Sequence, residues 1–418
     1  MRRSLLLPFI LVTSLFFLWG IANNMTDTLL SAFKRIMSMT DFQTSFVQLA
    51  FYGSYCVLAL PAALFIRRFT YKSGILLGLG LFAAGGLLFY PASITMEYSH
   101  FLAALFVLAG GLSILETTAN PYIIAMGDPA TGTRRLNLAQ SFNPIGAITG
   151  VVLSKFFILS ELDKASAAER ASMTAEQLSA MQSTELSAVM GPYVGVSLFL
   201  ILLWVLIAMV KMPKATDEGT GSSLASTFGR LVRNRQYLGG IASQFFYMGA
   251  QIGVWSYIIR YVMQELNIDE DGASSYYIAS LIVFTVSRFV TTGMMQKFPP
   301  AQMLAALGLL GVVLTVLVMA SSGPVSVYAM VMISVCLSLM FPTNFGLALE
   351  GITEDRKIGG SGLIMAMLGG ALIPVLQGKI SDLYGINASF GIPLICFALV
   401  SLYGWLIWQT KWMNPAKA

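Results

Sequence analysis

Long apolar runs alternate with short polar segments along the whole chain. A helix needs about 20 mostly apolar residues to cross the hydrocarbon core of a bilayer, and the runs have that length. They predict spans at roughly 5–30, 42–66, 73–91, 98–126, 136–160, 191–212, 236–264, 272–296, 300–321, 324–349, 357–383 and 387–410. The pattern therefore predicts an all-α membrane protein with twelve transmembrane helices.

Few charged residues interrupt these runs. Hydrophobic residues make up 56% of the 418 residues and charged residues only 11%, whereas a soluble domain is about one quarter charged. The net charge of +5 does not indicate nucleic acid as a partner, because cytoplasmic loops of membrane proteins are rich in Lys and Arg. One histidine and three scattered cysteines form no metal-binding motif, and no nucleophile–base set indicates an enzyme.

Basic residues also predict the orientation. Most Lys and Arg residues between spans fall on one side of the predicted membrane, for example Arg67, Arg135, Lys297 and Arg356. The positive-inside rule assigns that side to the cytoplasm. Because the number of spans is even, we expect both termini there.

A polar segment near the middle divides the spans into two sets of six. Residues 213–235 are rich in Gly, Ser, Thr and charge, as linkers are, so we predict an N-terminal half over 1–212 and a C-terminal half over 236–418. The halves repeat weakly, with Phe341 in the place of Glu116. Two such halves predict a transporter with the major facilitator fold.

In the polar loop 161–189, a capping box from Thr174 to Gln177 predicts a short surface helix.

The fourth span carries a carboxylate, Glu116, within an apolar run. A charged residue at membrane depth costs about 2.5–3.5 kcal/mol on insertion scales, so chains that keep one usually use it. Asn120 lies four residues on and therefore shares its helical face. We favour a charge- or proton-carrying role, and the alternative is a buried carboxylate that ties two helices together.

The first span carries a second carboxylate, Asp27. Asn23, Asn24 and Asp27 share one helical face. A solvated helix end is one interpretation, but apolar residues follow Asp27 along the chain, so we favour a proton-carrying role.

Amides mark the fifth and seventh spans. Asn137, Gln140 and Asn143 are spaced by three and predict a polar stripe, beside which Pro144 favours a kink. In the seventh span, Gln244, Tyr247, Gln251 and Trp255 lie close to one face. Amides suit the hydroxyls of a sugar and a ring suits its apolar face. The alternatives are amides that only bind a neighbouring helix and aromatic rings that only pack. Arg288, in the eighth span, is expected to pair with a carboxylate.

Four stretches resemble one known family, the L-fucose:proton symporters (fucose permeases) of the major facilitator superfamily. They are Asn23-Asn24-x-x-Asp27, Leu115-Glu116-Thr117-x-Ala119-Asn120-Pro121, Asn137-Leu138-Ala139-Gln140-x-Phe142-Asn143 and Gly249-Ala250-Gln251-x-x-x-Trp255-Ser256-Tyr257. The resemblance runs through nearly the whole chain. The motifs around Asp27 and Glu116 are together specific to the family.

This resemblance implies proton-coupled uptake of a monosaccharide by alternating access. It assigns proton coupling to Asp27 and Glu116, sugar contact also to Glu116, and the cavity lining to Gln140 and Asn143. The full set of predicted substrate-binding residues is Asn24, Glu116, Asn120, Gln140, Asn143, Tyr247, Gln251 and Trp255. The expected partners are a monosaccharide, protons and the lipid bilayer, with no cofactor or metal. A multi-pass monomer in a bacterial inner membrane is expected.

The resemblance leaves the sugar open, since relatives carry L-fucose, glucose, galactose or N-acetylglucosamine. A proton-coupled exporter on the same fold is disfavoured by the sugar-type polar residues. An uncoupled facilitator leaves two buried carboxylates unexplained. A transporter-like sensor usually needs a sizeable cytoplasmic extension, and on the predicted cytoplasmic side we expect only the linker, short loops and short tails.

Overall fold

A computed structural model describes residues 3–36, 41–157, 167–212 and 223–413, and in these ranges the chain forms helices and no strand. The helices of the first part are α1 Arg3–Ile36, α2 Asp41–Arg68, α3 Tyr71–Thr95, α4 Tyr98–Ala125, α5 Gly132–Gln140, α6 Phe142–Phe157, α7 Ala167–Ser172 and α8 Ala175–Met209. Those of the second part are α9 Leu224–Arg233, α10 Arg235–Leu266, α11 Glu270–Met294, α12 Pro300–Ala320, α13 Pro324–Leu337, α14 Met340–Ala348, α15 Arg356–Met365, α16 Gly369–Tyr384, α17 Ile386–Ser389 and α18 Gly391–Met413.

Ten segments within the described ranges are long and apolar enough to cross a membrane. Of the twelve predicted spans, the fifth is split into α5 and α6, of 9 and 16 residues, so neither part is long enough alone. The seventh, α10, has 32 residues but carries glutamines and arginines along its length. The all-helical membrane fold is confirmed, and the count of twelve stays a prediction.

Prolines explain two helix interruptions. A proline has no N–H for the carbonyl four residues earlier. Pro144 thus leaves the carbonyl of Gln140 without its helical donor, and the chain breaks between α5 and α6. Pro342 does the same to Ser338, which lies between α13 and α14.

The capping box at Thr174 is present, but the predicted short surface helix is wrong. Thr174 accepts from the backbone N–H of Gln177, whose side chain accepts from the N–H of Thr174. The box begins α8, which continues for 35 residues into a candidate span. The helix continues beyond the capping box because the residues farther along it are largely apolar and suit a membrane span.

The chain groups into two compact units. The first unit contains Met1–Ala119 and Phe142–Lys214, and the second contains Asn120–Ser141 and Ala215–Ala418. Helix α4 contributes to both units. Within the predicted linker, residues 224–233 form α9. The predicted boundaries of the two halves and the linker stay a prediction.

In the first unit, glycines allow α1 and α6 to pack closely. A Cβ on Gly146 would overlap the backbone carbonyl of Phe17, and one on Gly20 would overlap the carbonyl of Asn143. Small residues at such crossings are usual in membrane proteins.

A lysine of α3 contacts the end of α8. The ammonium of Lys72 donates to the carbonyls of Ala208 and Val210, at 2.7 and 2.9 Å.

In the second unit, α10 is the central helix and packs against α11, α13, α14, α16 and α18. Helix α9 is fixed to the same unit through Asp355, which precedes α15. Asp355 accepts from the guanidinium of Arg230 at 2.6 and 2.7 Å and from the hydroxyl of Thr227 at 2.9 Å. These hydrogen bonds to Asp355 raise the pKa of Arg230.

Candidate functional site

Glu116 lies in the interior of the first unit. The segment of α4 around it, residues 108–125, is buried throughout, and Glu116 is only 2% exposed. Its Oε1 accepts a hydrogen bond of 3.2 Å from the Tyr55 hydroxyl. Its Oε2 has no hydrogen-bond partner in the described part of the chain. Because an isolated buried charge is costly, this environment suits a carboxyl group that accepts a proton.

Tyr55, on α2, is not among the predicted site residues. It is 1% exposed, and its backbone carbonyl accepts from the Ser113 hydroxyl at 3.3 Å. Two hydrogen bonds, Tyr55 to Glu116 and Ser113 to Tyr55, therefore connect α2 and α4 within one helical turn of Glu116. The ring of Phe51 lies 5.3 Å away, and the Trp19 indole lies beside the Tyr55 hydroxyl. Phe51 and Trp19 are thus aromatic neighbours of the tyrosine that donates to Glu116.

The predicted polar face of α1 is described only in part. The amide of Asn24 donates to the carbonyl of Gly20, in its own helix, at 3.3 Å. Asp27 lies on α1, but its side chain, like that of Asn23, is outside the described residues. The proton-coupling role of Asp27 stays a prediction.

The predicted polar stripe of the fifth span does not lie on one helix. Asn137 and Gln140 belong to α5, and Asn143 belongs to α6. The amide of Asn143 donates to the carbonyl of Phe16 at 3.1 Å and ties α6 to α1. Asn137 donates to Thr343 at 3.2 Å within the second unit. The interruption between α5 and α6 lies where Pro144 predicted a kink, and the role of these amides in the cavity stays a prediction.

Two residues that are predicted to bind the sugar, Asn120 and Gln140, contact each other in the second unit. The side-chain amide of Gln140 donates to Oδ1 of Asn120 at 2.8 Å. Both residues are buried, and Nδ2 of Asn120 has no acceptor among the described residues. Such a buried donor is costly to leave unpaired, so Asn120 offers an N–H to a hydroxyl-bearing ligand.

Arg288 is a buried cation without a carboxylate partner in the described part of the chain. It is 3% exposed. Its Nη1 donates to the carbonyl of Gln140 at 3.2 Å, and its Nε donates to the carbonyl of Ser338. The guanidinium also lies over the Phe284 ring, 4.5 Å from its centroid. Among the described residues Arg288 thus contacts backbone carbonyls and an aromatic face, and not the carboxylate that was expected.

The predicted aromatic residues of α10 make contacts of their own. Tyr247 is buried and donates to Oε1 of Gln251 at 2.7 Å. Trp255 is partly exposed, donates to Ser334 at 3.4 Å and meets the Phe284 ring edge-on at 5.0 Å. Since Phe284 also contacts Arg288, Trp255 and the guanidinium share one aromatic neighbour.

Two signals in the sequence could have pointed to the missed contacts. Gln140 and Ser338 each precede a proline by four residues, so each has a freed carbonyl that needs a donor. Tyr55 carries a hydroxyl inside the apolar run of α2, and a buried tyrosine hydroxyl usually has a partner. Neither signal alone identifies that partner.

Comparison with known proteins places these residues in a wider context. The model of the Major Facilitator Superfamily matches residues 10–368. An L-fucose-proton symporter of Haemophilus influenzae is 39% identical over 422 residues, covering 98% of both chains. A glucose/galactose transporter of Brucella abortus is 32% identical and covers 94% of this chain and 92% of its own. The crystal structure of a transporter of the same superfamily, FucP, in the outward conformation superposes with a TM-score of 0.92. It is 36% identical, and the match covers 97% of this chain and 99% of FucP.

Proposed function

Because the chain belongs to the L-fucose-proton symporter family of the Major Facilitator Superfamily, we propose that it takes up a monosaccharide together with protons. The substrate class is L-fucose or a related hexose. Transport follows alternating access, and the coupling ion is the proton.

The environment of Glu116 carries this proposal. The carboxylate is buried, receives one neutral hydroxyl and has no basic partner among the described residues. An ion pair would fix its charge, whereas a lone hydroxyl leaves the carboxyl group free to gain and lose a proton. A passive structural carboxylate would be expected to have a hydrogen-bond partner at both oxygens, but no described residue contacts Oε2.

Protonation couples the sugar to the proton through the cost of a buried charge. When Glu116 and Asp27 are protonated from the acidic side, the loaded carrier carries no net carboxylate charge through its conformational change. The empty, ionised carrier crosses less readily because it must desolvate charge. Sugar release on the inner side then precedes proton release.

Side-chain amides supply the hydroxyl contacts. In the second unit we assign sugar binding to Asn120, Gln140, Tyr247 and Gln251, and to Trp255 as the ring that packs on the sugar. In the first unit we assign it to Asn24, Asn143 and Glu116. Nδ2 of Asn120, which has no acceptor in the part of the chain that the structure describes, supports this role most directly.

The proposed setting is a bacterial inner membrane. The basic residues of the loops support a topology with both termini in the cytoplasm, and one chain is expected to suffice for transport. The lipid bilayer, a sugar and protons are the proposed partners.

Uptake into proteoliposomes tests the proposal. Purified protein is reconstituted, an inward proton gradient is imposed, and accumulation of labelled L-fucose is followed, with D-galactose, D-glucose and N-acetylglucosamine as competitors. We expect accumulation that collapses with a protonophore. Equilibration without accumulation would contradict coupling, and outward sugar movement driven by proton entry would indicate an exporter.

Glucose or galactose is the second candidate substrate. The similarity to a glucose/galactose transporter covers nearly the whole chain. In the same assay, stronger competition by D-glucose or D-galactose than by unlabelled L-fucose would select this candidate.

A further inference from the structure

The contact between Tyr55 and Glu116 gives the two carboxyl oxygens different surroundings. Oε1 accepts from the Tyr55 hydroxyl at 3.2 Å, and Oε2 has no partner among the described residues. A carboxylic acid carries its proton on one oxygen and accepts hydrogen bonds best at the other. The oxygen that receives the hydroxyl is therefore the poorer place for the proton.

We propose that Tyr55 is a positioning residue that holds Oε1 of Glu116 as the acceptor and reserves Oε2 for the transported proton. This role rests on the proposed function, in which Glu116 carries that proton. It goes further, because it assigns the proton to one oxygen and gives α2 a part in coupling.

The position of Tyr55 is fixed independently of its hydroxyl. Ser113 donates to the Tyr55 carbonyl at 3.3 Å, and the Phe51 ring packs 5.3 Å from the Tyr55 ring. Because both contacts survive the loss of the hydroxyl, Tyr55→Phe removes the hydrogen bond to Glu116 and leaves the ring in place. The substitution therefore probes the contact with Glu116.

The hydroxyl also affects how readily Glu116 ionises. A donor that binds a carboxylate favours the charged form. Among the described residues Tyr55 is the one titratable group in contact with Glu116, since no cation or second carboxylate contributes. Without the hydroxyl, Glu116 should keep its proton to a higher pH.

Infrared spectroscopy of the purified protein tests the assignment without any sugar. The carbonyl stretch of protonated Glu116 is the band that disappears in Glu116→Gln, and its intensity is followed against pH. In Tyr55→Phe we expect this band at higher wavenumber, because a hydrogen bond to the carbonyl is lost. Its titration midpoint should rise by about one pH unit, as expected for loss of one charge-assisted hydrogen bond.

A matched control separates this effect from the loss of any buried hydroxyl. Tyr261 is fully buried in the second unit and donates to the carbonyl of Val318 at 2.7 Å. Tyr261→Phe therefore makes the same chemical change away from Glu116, and it should leave the band and its midpoint unchanged. An unshifted band in Tyr55→Phe, or an equal shift in Tyr261→Phe, would overturn the proposal.

Transport provides the second readout and keeps the two proposals distinguishable. In sugar counterflow, Tyr55→Phe should retain exchange while the pH at which exchange is half-maximal rises by a similar amount. In the Glu116→Gln background, Tyr55→Phe should cause no further change with pH, and a shift that persists there would contradict positioning. Absence of sugar transport in the wild type, with the infrared shift present, would reject the proposed function and leave the contact established.

Discussion

Tyr55 and Glu116 meet across α2 and α4, with the hydroxyl 3.2 Å from Oε1. The two side chains are 1% and 2% exposed, so the hydrogen bond forms away from water, where it is electrostatically stronger. It leaves the second carboxyl oxygen without a partner among the described residues. The first unit thus holds a buried carboxyl group with a hydrogen bond at only one of its oxygens among the described residues.

Glu116→Gln tests the need for a titratable group at this position. Glutamine keeps the size and accepts from Tyr55, but it cannot release a proton. We expect sugar accumulation against a gradient to fall to the equilibrium level, while counterflow, which needs no net proton movement, continues. Labelled sugar uptake with and without a proton gradient measures both. Uphill accumulation by this variant would show that Glu116 does not carry the coupled proton.

Asp27→Asn tests the second predicted proton carrier. The residue follows Asn23 and Asn24 on one face of α1, and we expect the variant to lose uphill uptake and sugar-induced proton entry. Asp269→Asn is the matched control, because Asp269 is an exposed N-cap that accepts from Gly272 at 3.0 Å and asparagine caps equally well. Full accumulation by Asp27→Asn would remove Asp27 from the mechanism.

Arg288→Gln tests the role of the guanidinium in holding two interrupted helices. The substitution removes charge-assisted hydrogen bonds to the carbonyls of Gln140 and Ser338, each of which lacks its helical donor. Since a hydrogen bond to a charged group contributes about 1.5–3 kcal/mol, we expect a loss of about 2–5 kcal/mol in unfolding free energy. Thermal unfolding in detergent measures it.

Arg260→Gln provides the comparison for Arg288. Arg260 is exposed on α10 and lies 5.5 Å from the centroid of the Tyr257 ring, so its loss should cost below about 1 kcal/mol. Equal destabilisation by the two variants would mean that the freed carbonyls do not depend on Arg288.

Gly146→Ala tests the close packing of α1 and α6. The added methyl group would overlap the carbonyl of Phe17, so the helices must move apart, at a cost of about 1–3 kcal/mol. Gly191→Ala on α8 is the control, because nothing lies within 4 Å of its added Cβ. Thermal unfolding should separate the two variants, and similar stability would contradict the close crossing.

The hydrophobic pattern predicts the helical membrane fold well because spans are set by a simple length requirement. It predicts the ends of α2, α3 and α4 to within about four residues, whereas α1 continues to Ile36, beyond its predicted span of 5–30. At the fifth span Pro144 predicts a kink, and the structure has two separate helices there, α5 and α6. Spacing along the chain cannot predict the donor that the freed Gln140 carbonyl receives, because that donor is Arg288, 148 residues away.

The sequence predicts only those parts of the candidate site that lie close together along the chain. Spacing alone places Glu116 and Asn120 on one buried helix, as the structure has them. It cannot identify Tyr55, because that contact joins residues 61 positions apart. It also suggested a carboxylate for Arg288, since charge pairing is the usual expectation in a membrane and carbonyls freed by prolines are a rarer alternative.

The external pH of a weakly buffered, energy-depleted cell suspension tests the central claim most directly. L-fucose is added to cells that express the wild type or Glu116→Gln, followed by D-galactose, D-glucose and N-acetylglucosamine. The account predicts a rise in pH with at least one sugar in the wild type, because protons enter with the sugar, and no rise with Glu116→Gln. An unchanged pH in the wild type while labelled sugar equilibrates, or an equal rise in both, would contradict proton coupling through Glu116.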